Sequence, residues 1–351
     1  MRGISRKSIL GRLAVKIAPF VEQRLAETLA PAVDRHLRQL VAQVVEQELQ
    51  SKQQHFQDLI HAGLKTETTT DPLYGSRLFI PNEITAVYEN KPYMSASNVL
   101  AQDFMTSEFI EFCKLCYLPV INHRKFWEWA FVYHHLKTAG VLLPGKRGLG
   151  FGVGQEPLPS LFANLGVQIT ATDSPADDMG WREANEHAAD RNQLFFANIV
   201  TRESFDKLVS YSPVDMNNIP QDLTEFDFCW SSCSFEHLGS LQNGLDFVVN
   251  SVERTLKIGG VACHTTELNL TSDDETLESE KIVIYRKQDL ARLCQTLMAR
   301  GHSVHPLRIE AGNLVADYLV DVPPYRTDPH LKLQVGRFVT TSVGVVARRG
   351  R

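Results

Sequence analysis

From Lys146 onward, short apolar segments alternate with turns and helical segments, and this alternation constrains the fold more than any other feature. RGLGF predicts a strand that enters a glycine turn, and VQITATD, YSPVDM, EFDFCWSS and GGVACHTTE predict four more strands. Helices are predicted over 159–165, 181–192 and 241–256. Such alternation is typical of an α/β protein with a mostly parallel sheet and helices on both faces. The late segments ADYLVDV and RFVTTSVGVVAR alternate apolar and polar residues, which predicts a closing antiparallel hairpin.

Two segments of different character precede this α/β region. Between residues 8 and 64, apolar residues recur every three or four positions, as at Val33, Leu37 and Leu40, on a helix rich in Gln, Glu and Arg. A polar helix with so narrow an apolar stripe buries little surface alone, so we expect residues 1–70 to self-associate or to dock on the main domain. Self-association would make the protein a homo-oligomer.

Residues 71–145 form an intermediate segment, with helices predicted over 98–117 and 125–138. The second helix carries Phe126, Trp127, Trp129 and Phe131, more aromatic residues than a solvent-facing helix needs. We therefore interpret 71–145 as a helical lid or substrate-covering region, followed by the main domain at 146–351.

The first 20 residues are basic and amphipathic, with five Lys or Arg residues before the first acid, Glu22. Such a stretch could lie on an anionic membrane surface, but a solvated helix face or a frayed terminus is the favoured explanation. No run of about 18 apolar residues exists that would predict a membrane-spanning helix.

Charge and cysteine content limit the classes of partner. The net charge of −5 offers no general attraction to a phosphate backbone, so we expect no nucleic-acid substrate and favour small molecules or glycans. The six cysteines lie in apolar segments, which favours a reducing, cytoplasmic setting. Cys113 and Cys116 form a C-x-x-C without a second half for a zinc site, so both are interpreted as buried structural residues.

The glycine turn Gly150-Phe151-Gly152-Val153-Gly154 follows a strand and precedes a helix, the setting in which backbone amides approach a ligand. Asp173 ends the next predicted strand, where a carboxylate can accept bonds from both hydroxyls of a ribose. These two features predict a cofactor that contains a nucleoside. Glu156 follows the turn and would repel a pyrophosphate, but it suits a ligand with an ammonium or sulfonium group. Its alternative role is to cap the next helix.

Five segments between residues 146 and 270 resemble, in their order and spacing, the motifs of the class I S-adenosylmethionine-dependent methyltransferases. They are GLGFGVGQE, ITATD, VDM, FDFCWSSCSFEHLG and LKIGGVACHTTE. The resemblance implies a Rossmann-like methyltransferase fold, an enzyme, and S-adenosylmethionine as the cofactor. One departure from the family pattern is Gly150, which occupies the position of the usual acidic residue two before the first paired glycine. Glu156 is a candidate substitute for it.

The resemblance also implies a set of cofactor-binding residues. Gly152 and Gly154 would cradle the cofactor, Asp173 would bind its ribose, Asp215 and Met216 its adenine, and Ser231 and Ser232 its methionine moiety. Asp215 has an alternative role as the cap of the following turn, and Met216 as a core residue.

Methyl transfer is a displacement at carbon that needs aligned reactants and often a base. The candidates follow two neighbouring predicted strands: Glu236 and His237 in SFEHLG, and His264 and Glu267 in CHTTE. We expect these four catalytic candidates to converge at the carboxyl ends of the strands, where a His would act as base. Two alternatives remain open, a divalent cation held by the four residues and histidines with structural hydrogen bonds only.

The favoured function is O-methylation of a small molecule, sugar or glycan. A nicotinamide-dependent oxidoreductase on the same layout and an inactive methyltransferase-like scaffold are the alternatives. The segment DVPPY at 321–325 contains a Pro-Pro-Tyr motif of amino-group methyltransferases of nucleic acids. It follows the late ADYLVDV strand and not the fourth strand, and we interpret Pro323 and Pro324 as a hairpin breaker.

The self-association hypothesis predicts a change of mass. Removing residues 1–70 should convert an oligomer into a monomer, because the narrow apolar stripe of that segment would form the interface. Sedimentation velocity of the full and shortened chains measures this. An unchanged number of subunits would refute the hypothesis.

Overall fold

The computed structural model describes residues 76–78, 91–175, 188 and 190–351. All of them belong to the unit Thr70–Arg351, which is distinct from Met1–Thr69. The expectations of self-association and membrane contact through residues 1–70, and most of the helix expected over 181–192, lie outside the described residues. None of the helices in the described part is long and apolar enough to cross a lipid bilayer.

The described strands form one sheet. Their order across it is β1-β8-β9-β10-β6-β5-β2-β3-β4, with β7 pairing beside β10. The strands are β1 (Ser76–Leu78), β2 (Arg147–Phe151), β3 (Gln168–Asp173), β4 (Val209–Pro213), β5 (Phe226–Ser232), β6 (Leu256–Asn269), β7 (Ser303–Val304), β8 (Leu319–Asp321), β9 (Lys332–Val335) and β10 (Phe338–Arg348).

Strands β2 to β6 are parallel, and the strand order reverses at β2. The chain places β3 and β4 on one side of β2, and then β5 and β6 on the other. In open α/β sheets such a reversal leaves a crevice beyond the carboxyl ends of the central strands, because the two crossover connections diverge there. The topology therefore sets the ligand site at the ends of β2 and β5.

Helices cover both faces of the sheet, each over its own apolar core. On one face α2 packs over β5, β6 and β10, with Trp127 and Trp230 wholly buried. On the other face, residues of α5 and α6 pack on Leu149 and Phe151 of β2. The described helices are α1 (Ser107–Cys116), α2 (Arg124–Thr138), α3 (Leu158–Asn164), α4 (Arg202–Leu208), α5 (Leu241–Asn250) and α6 (Lys287–Ala299). The predicted Rossmann-like α/β fold is confirmed.

The predicted closing hairpin exists, but one of its two strands was assigned wrongly. β10 pairs with β9 and β6, whereas β8, which forms from the ADYLVDV segment, runs parallel to β9. The reason is Gly336, whose positive φ of 58° makes the tight turn between β9 and β10. The chain around Pro323 instead leads from β8 to β9.

Two predicted helices differ in detail from the observed ones. The segment 98–117 is a short 3₁₀ turn at Ala101–Met105 followed by α1, because the hydroxyl of Thr106 accepts the amide of Phe109 and starts a new helix. The segment 241–256 is α5 followed by one π-helical turn, Ser251–Thr255. Cys113 and Cys116 are free and buried on α1, as predicted.

Candidate active site

A cavity of about 750 Å³ opens beyond the carboxyl ends of β2, β3 and β5, at the reversal of strand order. This volume lies within the usual range of about 300–1,000 Å³ for ligand sites. Its walls come from the glycine turn after β2, the end of β3, the turn after β4, the loop after β5, and one side of α2. Residues far apart in the sequence therefore meet around one space.

The glycine turn forms the floor of this cavity. Gly152 and Gly154 have φ of 55° and 52°, values that L-residues with side chains rarely adopt. A Cβ on Gly152 would lie 2.7 Å from the Cβ of Ser234, so only glycine lets the backbone pass so close to the loop after β5. The backbone is thus exposed to a ligand, as the sequence pattern predicts.

Asp173 is the last residue of β3, and its carboxylate borders the cavity. One oxygen accepts the amides of Gly154 and Ala188, both at 3.0 Å, and the other accepts the amide of Ser174 at 2.8 Å. These bonds fix the carboxylate against the glycine turn. The structure therefore brings together the two features from which a nucleoside cofactor was predicted.

Position 150 has no space for the acidic side chain that the resemblance predicts, because the neighbouring strand fills it. A Cβ on Gly150 would lie 2.5 Å from the ring of Trp230 on β5 and 2.5 Å from Val153. Trp230 is wholly buried, and its indole N–H donates to the carboxylate of Glu156 at 2.6 Å. The indole thus excludes a side chain at position 150 and holds a carboxyl group at position 156.

Glu156 lines the cavity and does not cap the next helix. The residue at the start of α3 is Pro157, and no side chain caps that end. Burial raises the pKa of Glu156 to about 8, although the Trp230 bond and the charge of Lys125 act in the opposite direction. The ligand-contact interpretation is therefore favoured over the capping alternative, since a buried carboxyl group at a cavity wall gains from a cationic partner.

Asp215, Met216 and Ser232 also line the cavity. Asp215 accepts the amide of Asn217 at 2.9 Å, so its alternative role as a turn cap is present in the structure. Met216 is buried with the apolar core under α5. The structure therefore groups all three with the glycine turn, and a ligand role for Asp215 and Met216 stays a prediction.

Ser231 and His264 are placed away from the cavity, contrary to the expected roles. Their side chains meet on the α5 face of the sheet, with Ser231 Oγ 2.8 Å from His264 Nδ1. His264 Nε2 is 2.9 Å from the hydroxyl of Ser251, and burial lowers the pKa of His264 to about 3. Because side chains alternate along a strand, Ser232 faces the cavity and Ser231 does not. His264 is the hydrogen-bonded structural histidine of the alternative interpretation.

Glu236 and Glu267 also do not line the cavity; they lie in a buried polar cluster under α2. Glu267 is ion-paired with Arg124 and accepts the hydroxyl of Thr340. Glu236 accepts the hydroxyl of Thr266 at 2.9 Å, and burial together with the charge of Glu267 raises its pKa to about 8. Three of the four catalytic candidates lie near one another, since Glu236 Oε1 is 4.0 Å from His237 Nε2 and Glu236 and Glu267 belong to one cluster. The expected convergence of all four does not occur, because the side chain of His264 lies on the α5 face of the sheet.

His237 is the one of the four that lines the cavity. Its Nδ1 lies 2.7 Å from the carbonyl oxygen of Lys281. A carbonyl only accepts, so Nδ1 carries the hydrogen and the neutral ring has its lone pair on Nε2. This is the tautomer that a base acting through Nε2 requires.

Lys125 and Trp129 of α2 complete the cavity and were not singled out as site residues. They lie one helical turn apart on the same face. Lys125 Nζ is 2.8 Å from Glu128, which is wholly buried. The aromatic density of this helix indicated a covering layer, but no local pattern marked Lys125 as a ligand contact.

The polar cluster under α2 also offers the one set of three metal-ligating groups found among the described residues: Cys233, Glu236 and Glu267. It differs from the four residues considered from the sequence, since it includes Cys233 and neither histidine, although His237 Nε2 is 4.0 Å from Glu236 Oε1. Glu267 is already paired with Arg124, whose charge opposes that of a cation. We therefore assign no metal ion to this cluster.

The residues present fit S-adenosylmethionine. The exposed glycine backbone and Asp173 suit an adenosine, and Glu156 lies in the same cavity as a partner for a cationic group. The carboxyl group that the resemblance predicts at position 150 is absent, and the carboxyl group of Glu156 lines the same cavity.

No protein-family model and no curated protein matches the chain. Solved structures that it is similar to are methyltransferases. A 1,6-didemethyltoxoflavin-N1-methyltransferase from Burkholderia thailandensis, solved with S-adenosylhomocysteine, is 13% identical over 66% of this chain and 80% of that one, with a TM-score of 0.38. The CcbJ methyltransferase from Streptomyces caelestis is 10% identical over 62% and 88%, also with a TM-score of 0.38. An S-adenosylmethionine-dependent methyltransferase from Clostridium acetobutylicum ATCC 824 is 12% identical over 66% and 93%, with a TM-score of 0.36.

The contact between Gly150 and Trp230 predicts a stability cost. Gly150→Ala should lower the free energy of unfolding by about 1–3 kcal/mol, because the new methyl group overlaps the indole in a packed core. Urea denaturation measures the change. Combining Gly150→Ala with Trp230→Phe should give less than the sum of the two single effects, since the smaller ring relieves the overlap. Unchanged stability of Gly150→Ala would contradict the packing described.

Proposed function

We propose that the chain is an S-adenosylmethionine-dependent methyltransferase that methylates a hydroxyl group of a small molecule, sugar or glycan. The observation that carries the proposal is the cavity at the strand reversal, where an exposed glycine backbone, Asp173 and a buried Glu156 face the same space. Glycines and a carboxylate at these positions suit an adenosine, and Glu156 suits the cationic end of this cofactor.

The chain's own residues would hold the cofactor as follows. The backbone at Gly152 and Gly154 lies against it, Asp173 accepts the ribose hydroxyls, and Ser232 contributes a hydroxyl at the end of β5. Asp215 and Met216 border the adenine. When bound, the cofactor supplies an electrophilic methyl group on sulfur.

His237 is the proposed base. With Nδ1–H donated to Lys281, its Nε2 can take the proton of an acceptor hydroxyl as the oxygen attacks the methyl carbon. Trp129 and Leu238 add apolar surface to the same cavity. This arrangement supports His237 as the base, with the buried carboxyl group of Glu236 4.0 Å from its Nε2.

A nicotinamide cofactor suits the cavity less well. Its pyrophosphate would approach the residues after the glycine turn, where the carboxyl group of Glu156 is held by Trp230. In its ionised form this carboxyl group would repel the pyrophosphate, and in its neutral form it supplies no positive charge to bind it.

The cofactor assignment is tested by isothermal titration calorimetry. We expect S-adenosylhomocysteine to bind with 1:1 stoichiometry and NADH not to bind. Asp173→Asn should weaken the binding about tenfold or more, because it removes a charge-assisted contact to the ribose. Asp190→Asn, on the surface, serves as the control. Binding of NADH in preference to S-adenosylhomocysteine would refute the proposal, and binding without turnover on a broad acceptor panel would favour the scaffold alternative.

The role of His237 is tested on whichever hydroxyl acceptor such a panel identifies. His237→Asn should lower kcat by roughly 10²-fold, the usual contribution of a general base, and leave the affinity for S-adenosylhomocysteine within about twofold. His264→Asn and His305→Asn are the controls, since neither ring lines the cavity. A His237→Asn enzyme that keeps its kcat would remove the residue from the mechanism.

A further inference from the structure

Lys125 and Glu156 enter the cavity from separate elements, one from the first turn of α2 and the other from the loop after the glycine turn. They lie near enough for the charge of Lys125 to lower the pKa of Glu156. Among the described residues that line the cavity, Lys125 is the one Lys or Arg. The cavity therefore contains one fixed cation and one buried carboxyl group.

The ammonium group of Lys125 is held in place by an ion pair with Glu128. Its partner Glu128 is wholly buried and accepts the hydroxyl of Ser342 on β10. Burial alone would lower the pKa of Lys125, but the charge of Glu128 more than offsets this and raises it. Lys125 thus stays protonated, and an ammonium group has three hydrogens with which to bind Glu128 and a ligand together.

Glu156 is fixed in a corresponding way. The indole N–H of Trp230 donates to one of its oxygens at 2.6 Å, and Trp230 is itself packed against Gly150. Because the ring is wholly buried, the carboxyl group is oriented by the core of the sheet.

We propose that Lys125 and Glu156 together bind the amino-acid end of the cofactor, with Lys125 donating to its carboxylate and Glu156 accepting from its ammonium group. This inference rests on the proposed function. The amino-acid end carries both charges on one carbon, so it needs a cation and an anion side by side, next to the turn that holds the adenosine. Glu128 and Trp230 are the positioning residues of this clamp, and the pair replaces the acid that Gly150 cannot carry.

Four ligands separate the parts of this clamp by calorimetry. S-adenosylhomocysteine is compared with 5′-methylthioadenosine, which lacks the amino-acid end, and S-adenosylmethionine with its decarboxylated form, which lacks only the carboxylate. The unaltered protein should bind methylthioadenosine at least about tenfold more weakly than S-adenosylhomocysteine. It should bind decarboxylated S-adenosylmethionine about tenfold more weakly than S-adenosylmethionine.

The variants remove one charge at a time. Lys125→Met is combined with Glu128→Gln so that no buried carboxylate is left unpaired. The double variant should bind S-adenosylhomocysteine about tenfold more weakly, and its affinity for methylthioadenosine should stay within about twofold of the unaltered protein's. Glu156→Gln keeps a hydrogen-bond acceptor for Trp230. It should lower the affinity for S-adenosylhomocysteine and leave the affinity for methylthioadenosine unchanged. Lys137→Met on the exposed side of α2 is the matched control.

Proton release is a second readout for Glu156. The group has a pKa of about 8, so it is mostly protonated at pH 7 before binding. An ammonium partner favours the ionised form, so S-adenosylhomocysteine should release close to one proton at pH 7 and progressively less as the pH rises above 8. Methylthioadenosine binding, and S-adenosylhomocysteine binding to Glu156→Gln, should release none. Lys125 and Asp173 are the other charged groups that act on Glu156, the first lowering and the second raising its pKa.

Two results would overturn the clamp while leaving the proposed function in place. One is equal affinity of the unaltered protein for S-adenosylhomocysteine and methylthioadenosine. The other is equal affinity of the unaltered protein for S-adenosylmethionine and its decarboxylated form. Neither measurement depends on a variant that folds. If no adenosine ligand binds at all, the proposed function and the clamp both fail.

Discussion

The packing of Trp230 on Gly150 is the contact on which the arrangement of the site depends. These residues lie opposite each other on the paired strands β2 and β5, at the point where the strand order reverses. An indole at this position requires glycine on the neighbouring strand, and its N–H then requires an acceptor, which is Glu156. One close contact in the core therefore decides which residue presents a carboxyl group to the cavity.

Helix α2 links this cavity to the other part of the polar interior. Its first turns carry Arg124, Lys125 and Glu128, and each makes a buried charge interaction with another residue. Burial raises the pKa of Glu128, but the charges of Lys125 and Arg124 bring it down to about 2. The helix is thus attached to β6 and β10 by ion pairs and hydroxyl bonds, and it holds Lys125 and Trp129 at the cavity wall. A segment that resembles no part of the methyltransferase motifs completes the site.

Much of this could be predicted from the sequence, because the signals are local. The glycine turn, the strand that ends in Asp173 and the alternation of strands and helices each occupy a few consecutive residues, and their periodicity reports the burial pattern directly. The same local patterns failed for the catalytic candidates. His264, Glu236 and Glu267 carry suitable chemistry near strand ends, but which face each one occupies depends on strand register and on what packs there. The hairpin error has a similar cause, since β9 is only four residues long and gives a weak pattern.

The sequence by itself determined the class of fold and the position of the glycine turn, and it predicted a nucleoside cofactor, since backbone conformation and side-chain alternation are encoded in neighbouring residues. Only the tertiary structure decided that His237 faces the cavity and His264 does not, that Glu156 is held by Trp230, and that Lys125 lines the same cavity. Those outcomes depend on contacts between residues as far apart as 74 positions, as between Glu156 and Trp230. The packing of strands and helices brings such pairs together, and no local pattern records them.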